Sequence, residues 1–226
     1  DVCSSDLLRP SGRQGPVAVS LESFRRYQEE AAWVWEHLAL TRARVVAGSE
    51  ALGADVAAVM ARALARRKGD PAVLGDALEM RRRLLEAHGD ARRARWRLKH
   101  TAGGLMEIEF LAQTGALFRG RGIGQPAMGM LAELAQDGWI AADDADALRD
   151  ALALQSALQQ VERVALDEEL APERMGEALR RALAHAGHAE SFEALETRLG
   201  TVQARAADIV EARFARIAAE MPASEG

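Results

Sequence analysis

The sequence predicts a mostly α-helical protein built as a packed helical bundle, on three observations. Hydrophobic residues fill 49% of the 226 positions while aromatics fill only 4%. The apolar content is therefore carried by Ala, Leu and Val, in runs such as Ala57-Ala58 and Ala61-Arg62-Ala63, and Ala and Leu are strong helix formers. Helix-start and helix-stop residues recur along the chain. The connections between them are short, so neighbouring helices pack as antiparallel partners.

Taken in order, Pro10-Ser11-Gly12 and Gly15-Pro16 mark an N-terminal loop. Ser20 can cap a helix on which Phe24, Tyr27, Ala31 and Trp35 recur at helical spacing. Arg42 to Val46, bounded by Gly48, reads as a short strand. From Ser49 onward nearly every segment reads as helix, at about 49–67, 71–88, 90–98, 104–119, 126–137, 143–167, 172–186 and 190–219. Asp70-Pro71 puts a proline in a first turn. Asp143 with Asp144, Pro172-Glu173 and Ser191 suit helix N-termini, and Gly89, Gly138 and Gly187 fall where helices should stop. Residues 219–226 read as a disordered tail.

Composition narrows the function. A formal charge of −5 gives no global nucleic-acid signature. Cys3 is the single cysteine, which excludes an internal disulfide and a cysteine-based metal cluster. No apolar run approaches the roughly 18 residues needed to span a bilayer. The N-terminus lacks the basic start and apolar middle of a signal peptide. The chain thus reads as cytoplasmic, with neither nucleic acid nor membrane among its partners. It opens on Asp1, and Val2-Cys3-Ser4-Ser5 leads abruptly into Leu7-Leu8-Arg9-Pro10, so residues 1–6 read as non-native.

Three patches concentrate chemistry. In Lys99 to Gln113, Gly103 and Gly104 let backbone approach a ligand, and the helix after them offers N–H groups and a positive dipole end. Lys99 supplies a mobile charge for phosphate. Glu109 and Gln113, four apart, share a helix face. The plainer alternative makes Gly104 an N-cap and Glu107 a capping carboxylate, which suits Glu107 because an acid there would repel phosphate. From 81 to 99 stand eight Lys/Arg against Glu86 and Asp90. Such a strip can meet phosphates or an acidic partner with Trp96 stacking on a base, or form a solvated face with Trp96 in the core. Trp33 to Arg44 holds two of the four tryptophans beside Glu36, His37, Arg42 and Arg44. On a strand both arginines would project from one face and could meet a triphosphate. The plainer reading packs the tryptophans and His37 internally.

Two further stretches are set aside. Asp143-Asp144-Ala145-Asp146 resembles an acidic metal motif, but clustered acids are expected at a helix N-terminus. Gly120-Arg121-Gly122-Ile123-Gly124 lacks the preceding strand of a dinucleotide fold and reads as a loop.

The three patches resemble one family. Leu8-Arg9-Pro10-Ser11-Gly12 with Gly15-Pro16 resembles the L-R-P-S-G…G-P loop of glutamine-synthetase adenylyltransferases. Trp35-Glu36-His37, Ala39-Leu40 and Arg42-Ala43-Arg44 resemble that family's W-E-H-x-A-L-x-R-A-R segment. Lys99, Gly103-Gly104-Leu105, Glu107-Ile108-Glu109-Phe110 and Gln113 resemble its K-x-x-x-G-G-[LI]-x-[DE]-I-E-F-x-x-Q signature. Order and spacing agree across roughly residues 7 to 218.

The resemblance implies a bifunctional enzyme of two homologous halves. Each half has a nucleotidyltransferase domain of DNA-polymerase-β type followed by a helical domain. The W-E-H and R-A-R wording is similar to the C-terminal, adenylylating half, here N-terminally truncated. Residues 7–48 would be the C-terminal remnant of the α/β nucleotidyltransferase domain. Residues 49–218 would be a helical domain of the PII-uridylyltransferase/glutamine-synthetase adenylyltransferase type. The implied reaction is Mg²⁺-dependent transfer of AMP from ATP to a tyrosine of glutamine synthetase, regulated by the PII signalling protein and glutamine.

By the same resemblance Arg9, Arg42, Arg44 and Lys99 would bind nucleotide, with Gly103, Gly104, Glu109 and Gln113 in support. The family's G-S-x-D…D-x-D carboxylates lie upstream of this chain. The place of its third carboxylate, in D-L-R-L-R-P, is held by Ser5, or by Asp6 if one residue is skipped. The metal site is therefore absent or broken here, and these residues alone should transfer no AMP. Two alternatives stand beside this reading: a non-catalytic helical interaction or sensor module binding glutamine synthetase or PII, and the deadenylylating, phosphorolytic half.

Overall fold

The computed structural model describes residues 18–89, 92, 94–165 and 175–221. Among them lie nine α-helices and no strand. Two compact units divide the chain, the first formed by 1–80 with 112–139 and the second by 81–111 with 140–226. The 1–6 segment, Arg9 and 222–226 fall outside the described residues.

The first unit contains α1 (Leu21–Glu30), α2 (Val34–Leu40), α3 (Glu50–Ala65) and α6 (Ala127–Gln136). It also takes the first part of α4 (Pro71–Ala87) and the last part of α5 (Leu105–Arg119). The Ser20 hydroxyl accepts from the Ser23 N–H at 3.2 Å and caps α1; Ser49 caps α3 through Leu52 at 3.3 Å. Asp70 accepts the Ala72 N–H at 3.0 Å beside Pro71 at the start of α4. The loop over Gly120, Gly122 and Gly124 has positive φ at all three glycines, a conformation closed to most other residues.

Two expectations fail in this unit. The helix read as continuous from Ser20 through Trp35 stops at Glu30 and restarts at Val34. The Glu36 carboxylate accepts the Trp33 N–H at 2.9 Å and so caps a new helix. Trp33 is left 69% exposed, which is not the core position its plainer reading gave it. The strand expected over Arg42 to Val46 is instead a turn leaving α2, with the Ala43 N–H bonded to the Leu40 carbonyl at 3.0 Å. A strand needs a ladder partner, and no described residue offers one.

Buried polar groups join α1, α2 and the end of α3. Tyr27 Oη donates to Glu36 Oε1 at 2.7 Å. Arg67 Nε donates to His37 Nδ1 at 3.1 Å, leaving the His37 Nε2–H to donate to the Gln28 carbonyl at 3.2 Å. Arg67 in turn pairs with Asp70 at 3.2 Å. Burial pushes the His37 pKa below the ordinary histidine value, and the Arg67 charge acts in the same direction. His37 is thus a neutral structural histidine.

The second unit packs α7 (Ala142–Ala165) against α8 (Glu177–Ala186) and α9 (Phe192–Glu220). Ser191 caps α9 through Ala194 at 3.1 Å. The expected start of α8 at Pro172-Glu173 lies outside the described residues, and the helix begins after Gly176. Leu154, Leu158, Leu183, Leu195 and Leu199 form one apolar cluster around Trp96 and Phe192. The Trp96 ring stacks on Phe192 at 5.4 Å between centroids, and its indole N–H donates to Glu196 at 3.2 Å.

Trp96 also explains why the helix expected over 90–98 is absent from residues 94–98. Residues 94–98 run through turns, with Trp96 and Leu98 buried while Arg95 and Arg97 are exposed. Two residues spaced by two cannot share one face of a helix. Burial of both in one cluster overrides the helical propensity of the Ala-Arg pattern.

Two measurements check this packing. Trp96→Ala should destabilise the chain by about 3–5 kcal/mol in urea unfolding. For His37 the folded-state pKa is lowered, so its contribution is complete above the unfolded-state pKa of about 6.5 and is lost as pH falls below it. The stability advantage of wild type over His37→Gln should therefore shrink on acidification from pH 7. A constant difference would contradict the neutral, buried assignment.

Candidate functional site

The second unit holds the Lys99–Gly104 turn and the start of α5. Gly104 precedes Leu105 as the N-cap position, and Glu107 is third in the helix. Glu107 is buried; it pairs with Arg92, and its Oε2 accepts the Gly103 N–H at 2.9 Å. Glu107 therefore has the capping role its position suggests. The Leu105 and Met106 amides at the start of α5 are not open to a ligand. Leu105 N–H donates to the Leu98 carbonyl at 2.9 Å, Met106 to Lys99 at 3.1 Å and Gly104 to Thr101 at 2.9 Å. The expectation of vacant first-turn donors is corrected on this point, because the turn's own carbonyls fold back onto them.

The glycines serve close packing. Gly103 has φ +67°, and a Cβ there would lie 2.7 Å from the Ala207 nitrogen and collide with the Gln203 carbonyl of α9. At Gly104 a Cβ would lie 2.6 Å from the Leu98 oxygen. Lys99 itself is exposed, with its carbonyl fixed by Met106. Glu109 and Gln113 are half-buried, one turn apart on α5. Beside the turn, Arg92, Arg95, Trp96, Glu196 and Gln203 line an open groove of about 360 Å³.

The basic strip does not form one solvated face. Arg81 pairs with Glu211 at 2.5 Å and lies over the Phe214 ring, while Arg82 pairs with Glu86 at 2.6 Å. Arg92 is taken by Glu107, and Arg95 donates to the Glu196 carbonyl at 3.1 Å. Trp96 is in the core rather than open to a base. In the first unit Arg42 and Arg44 are exposed on the turn after α2. Gln113 belongs to that unit, whereas Lys99, Gly103, Gly104 and Glu109 belong to the second.

Two functional-looking residues escaped the sequence reading. Gln155 is fully buried on α7, and its Nε2 donates to the Gly103 carbonyl at 3.0 Å. Gln203, 5% exposed on α9, donates through Nε2 to the Arg95 carbonyl at 2.9 Å and to Gln155 Oε1 at 3.2 Å. A signal existed: Gln155 continues the face of Leu148 and Leu152, and Gln203 that of Leu195 and Leu199. A glutamine on an apolar stripe marks a buried hydrogen-bonded amide.

The acids expected to be a decoy are spoken for, with Asp144 paired to Arg205 at 2.6 Å and Asp146 to Arg149 at 2.9 Å. Among the described residues no three His, Cys, Asp or Glu side chains are grouped to hold a metal ion. No described helix is long and apolar enough to cross a membrane.

Comparison with known proteins bears on both units. A glutamate-ammonia ligase adenylyltransferase family model matches residues 5–59, and a GlnD PII-uridylyltransferase model matches residues 77–214. The bifunctional glutamine synthetase adenylyltransferase/adenylyl-removing enzyme of Xanthobacter autotrophicus is 40% identical over 217 residues, 94% of this chain and 22% of the relative. Those of a Bradyrhizobium species and Rhodopseudomonas palustris are 40% and 41% identical, each over 87% of this chain and 20% of the relative. The chain spans about a fifth of the length of these curated relatives. With the GlnD PII-uridylyltransferase model covering residues 77–214, more than half of the chain, the chain belongs to that family through its helical part, and it is similar along nearly its whole length to bifunctional glutamine synthetase adenylyltransferases.

Proposed function

We propose that the chain is part of an enzyme that transfers AMP from ATP to a tyrosine of glutamine synthetase, and so regulates nitrogen assimilation. The observation that carries this is the 40% identity to a bifunctional adenylyltransferase along 94% of the chain. The W-E-H and R-A-R wording supports assignment to the C-terminal, adenylylating half. In this reading residues 7–48 close a nucleotidyltransferase domain and residues 49–218 form its helical companion. PII and glutamine would act on the complete protein.

Arg9, Arg42, Arg44 and Lys99 are the proposed nucleotide-binding residues, with Gly103, Gly104, Glu109 and Gln113 in support. The exposure of Arg42, Arg44 and Lys99 suits them to ATP phosphates. The glycines would act indirectly, by letting the turn that presents Lys99 pack closely. The described residues do not fit Mg²⁺, since no three of their His, Cys, Asp or Glu side chains are grouped to hold an ion. Any metal in the complete enzyme would be held by carboxylates outside them, so the proposed contribution of these residues is phosphate binding.

The test is labelled AMP transfer from Mg·ATP to glutamine synthetase, using this chain alone and a protein extended to the relatives' length. Transfer is expected from the extended protein and none from the 226 residues. Activity of the short chain would refute its predicted inactivity. No transfer by a folded extended protein, supplied with glutamine and PII, would favour the deadenylylating half or an interaction module. In the active extended protein Lys99→Ala should raise the KM for ATP roughly tenfold, the loss of one charge-assisted contact. Unchanged KM and kcat would remove Lys99 from the site.

A further inference from the structure

We infer that Gln155 and Gln203 are positioning residues that fix the Lys99 turn from beneath and couple its geometry to the packing of α7 on α9. The functional consequence rests on the proposed role of Lys99. The structural part stands on the hydrogen bonds alone.

The turn between Ala94 and Gly104 has no regular secondary structure, yet half of it is buried against helices. Gln203 Nε2 from α9 holds its early carbonyl, that of Arg95, and Gln155 Nε2 from α7 holds its late carbonyl, that of Gly103. The two amides are themselves bonded at 3.2 Å, so neither can rotate without releasing the other. Gly103 is held on both sides, its N–H by Glu107 and its carbonyl by Gln155. From there the order passes by backbone to Lys99, whose carbonyl receives the Met106 N–H. Lys99 is thus an exposed cation on a backbone tied to the interior at both ends.

Packing alone does not call for these amides. The neighbouring stripe residues are Leu148, Leu152, Leu195 and Leu199, and leucine at 155 or 203 would continue the apolar stripe but leave the Gly103 or Arg95 carbonyl without its donor. What a buried amide pair bonded to both carbonyls and to itself adds is a single allowed geometry. A small slide of α7 along α9 would break the amide pair and free the turn. The pair therefore acts as a read-out of helix packing at Lys99.

Hydrogen exchange on the wild-type chain is the first test. The Gly103, Leu105 and Met106 amides should exchange as slowly as the α7 and α9 core, since they open only with it. Exchange at the rate of an exposed loop would overturn the inference without any variant. Gln155→Met and Gln203→Met should each speed exchange of the Leu105 and Met106 amides about tenfold, leaving α8 unchanged. Unchanged exchange in a folded variant would also overturn it.

In the extended enzyme, Gln155→Met should raise the KM for ATP with little change in kcat, and should add nothing to Lys99→Ala. Additive effects would show that Gln155 does not act through Lys99. If Lys99→Ala is silent while the exchange results hold, the nucleotide role of Lys99 fails and the positioning relay remains.

Discussion

Buried backbone outside helices must find partners for every N–H and C=O group, and that constraint governs the second unit. The 94–104 segment enters the bundle because Trp96 and Leu98 belong to its core. Once inside, its polar groups cannot be left to water. Side chains from α5, α7 and α9 supply the partners: Glu107 for the Gly103 N–H, Gln155 for the Gly103 carbonyl and Gln203 for the Arg95 carbonyl. The remaining carbonyls of Leu98 and Lys99 return to the first amides of α5. One apolar anchor thus dictates a whole set of polar residues.

The same demand sorts the cations. Arg81, Arg92 and Arg95 look alike in the sequence, but each is committed to a carboxylate, a ring or a carbonyl. Arg42, Arg44 and Lys99 lie exposed on turns. A guanidinium with several fixed donors can bridge structure or grip a phosphate bidentately, while a lysine ammonium offers a mobile point charge. Part of the positive charge over 81–99 is therefore structural.

The first unit applies a similar rule with acids and a histidine. Glu36 and His37 are buried and fully engaged, Glu36 with Tyr27 and the Trp33 amide, His37 with Gln28 and Arg67. Several residues that carry the family resemblance are thus scaffold residues: Glu36, His37, Gly103, Gly104 and Glu107. Their side chains or their lack of one hold backbone in place, and the exposed Lys99 stands on the turn that Gly103, Gly104 and Glu107 fix.

The sequence by itself determined the helical class, most helix positions and the family. The cap at Ser20, the helix start at Ser191 and the stops at Gly138 and Gly187 act through neighbours in the chain, so they are legible without tertiary knowledge. The capping role of Glu107 was legible for the same reason. Three outcomes were decided only by tertiary structure. Residues 94–98 leave the helix because a distant core accepts Trp96 and Leu98 together, and Arg42 to Val46 is irregular with no strand beside it among the described residues. The diglycine serves contact with α9 and the turn's own carbonyls, and the Leu105 and Met106 amides are closed by the Leu98 and Lys99 carbonyls, partners from beyond one helical turn. Local pattern reports what a segment can form, while burial and hydrogen-bond satisfaction across the chain choose among those forms.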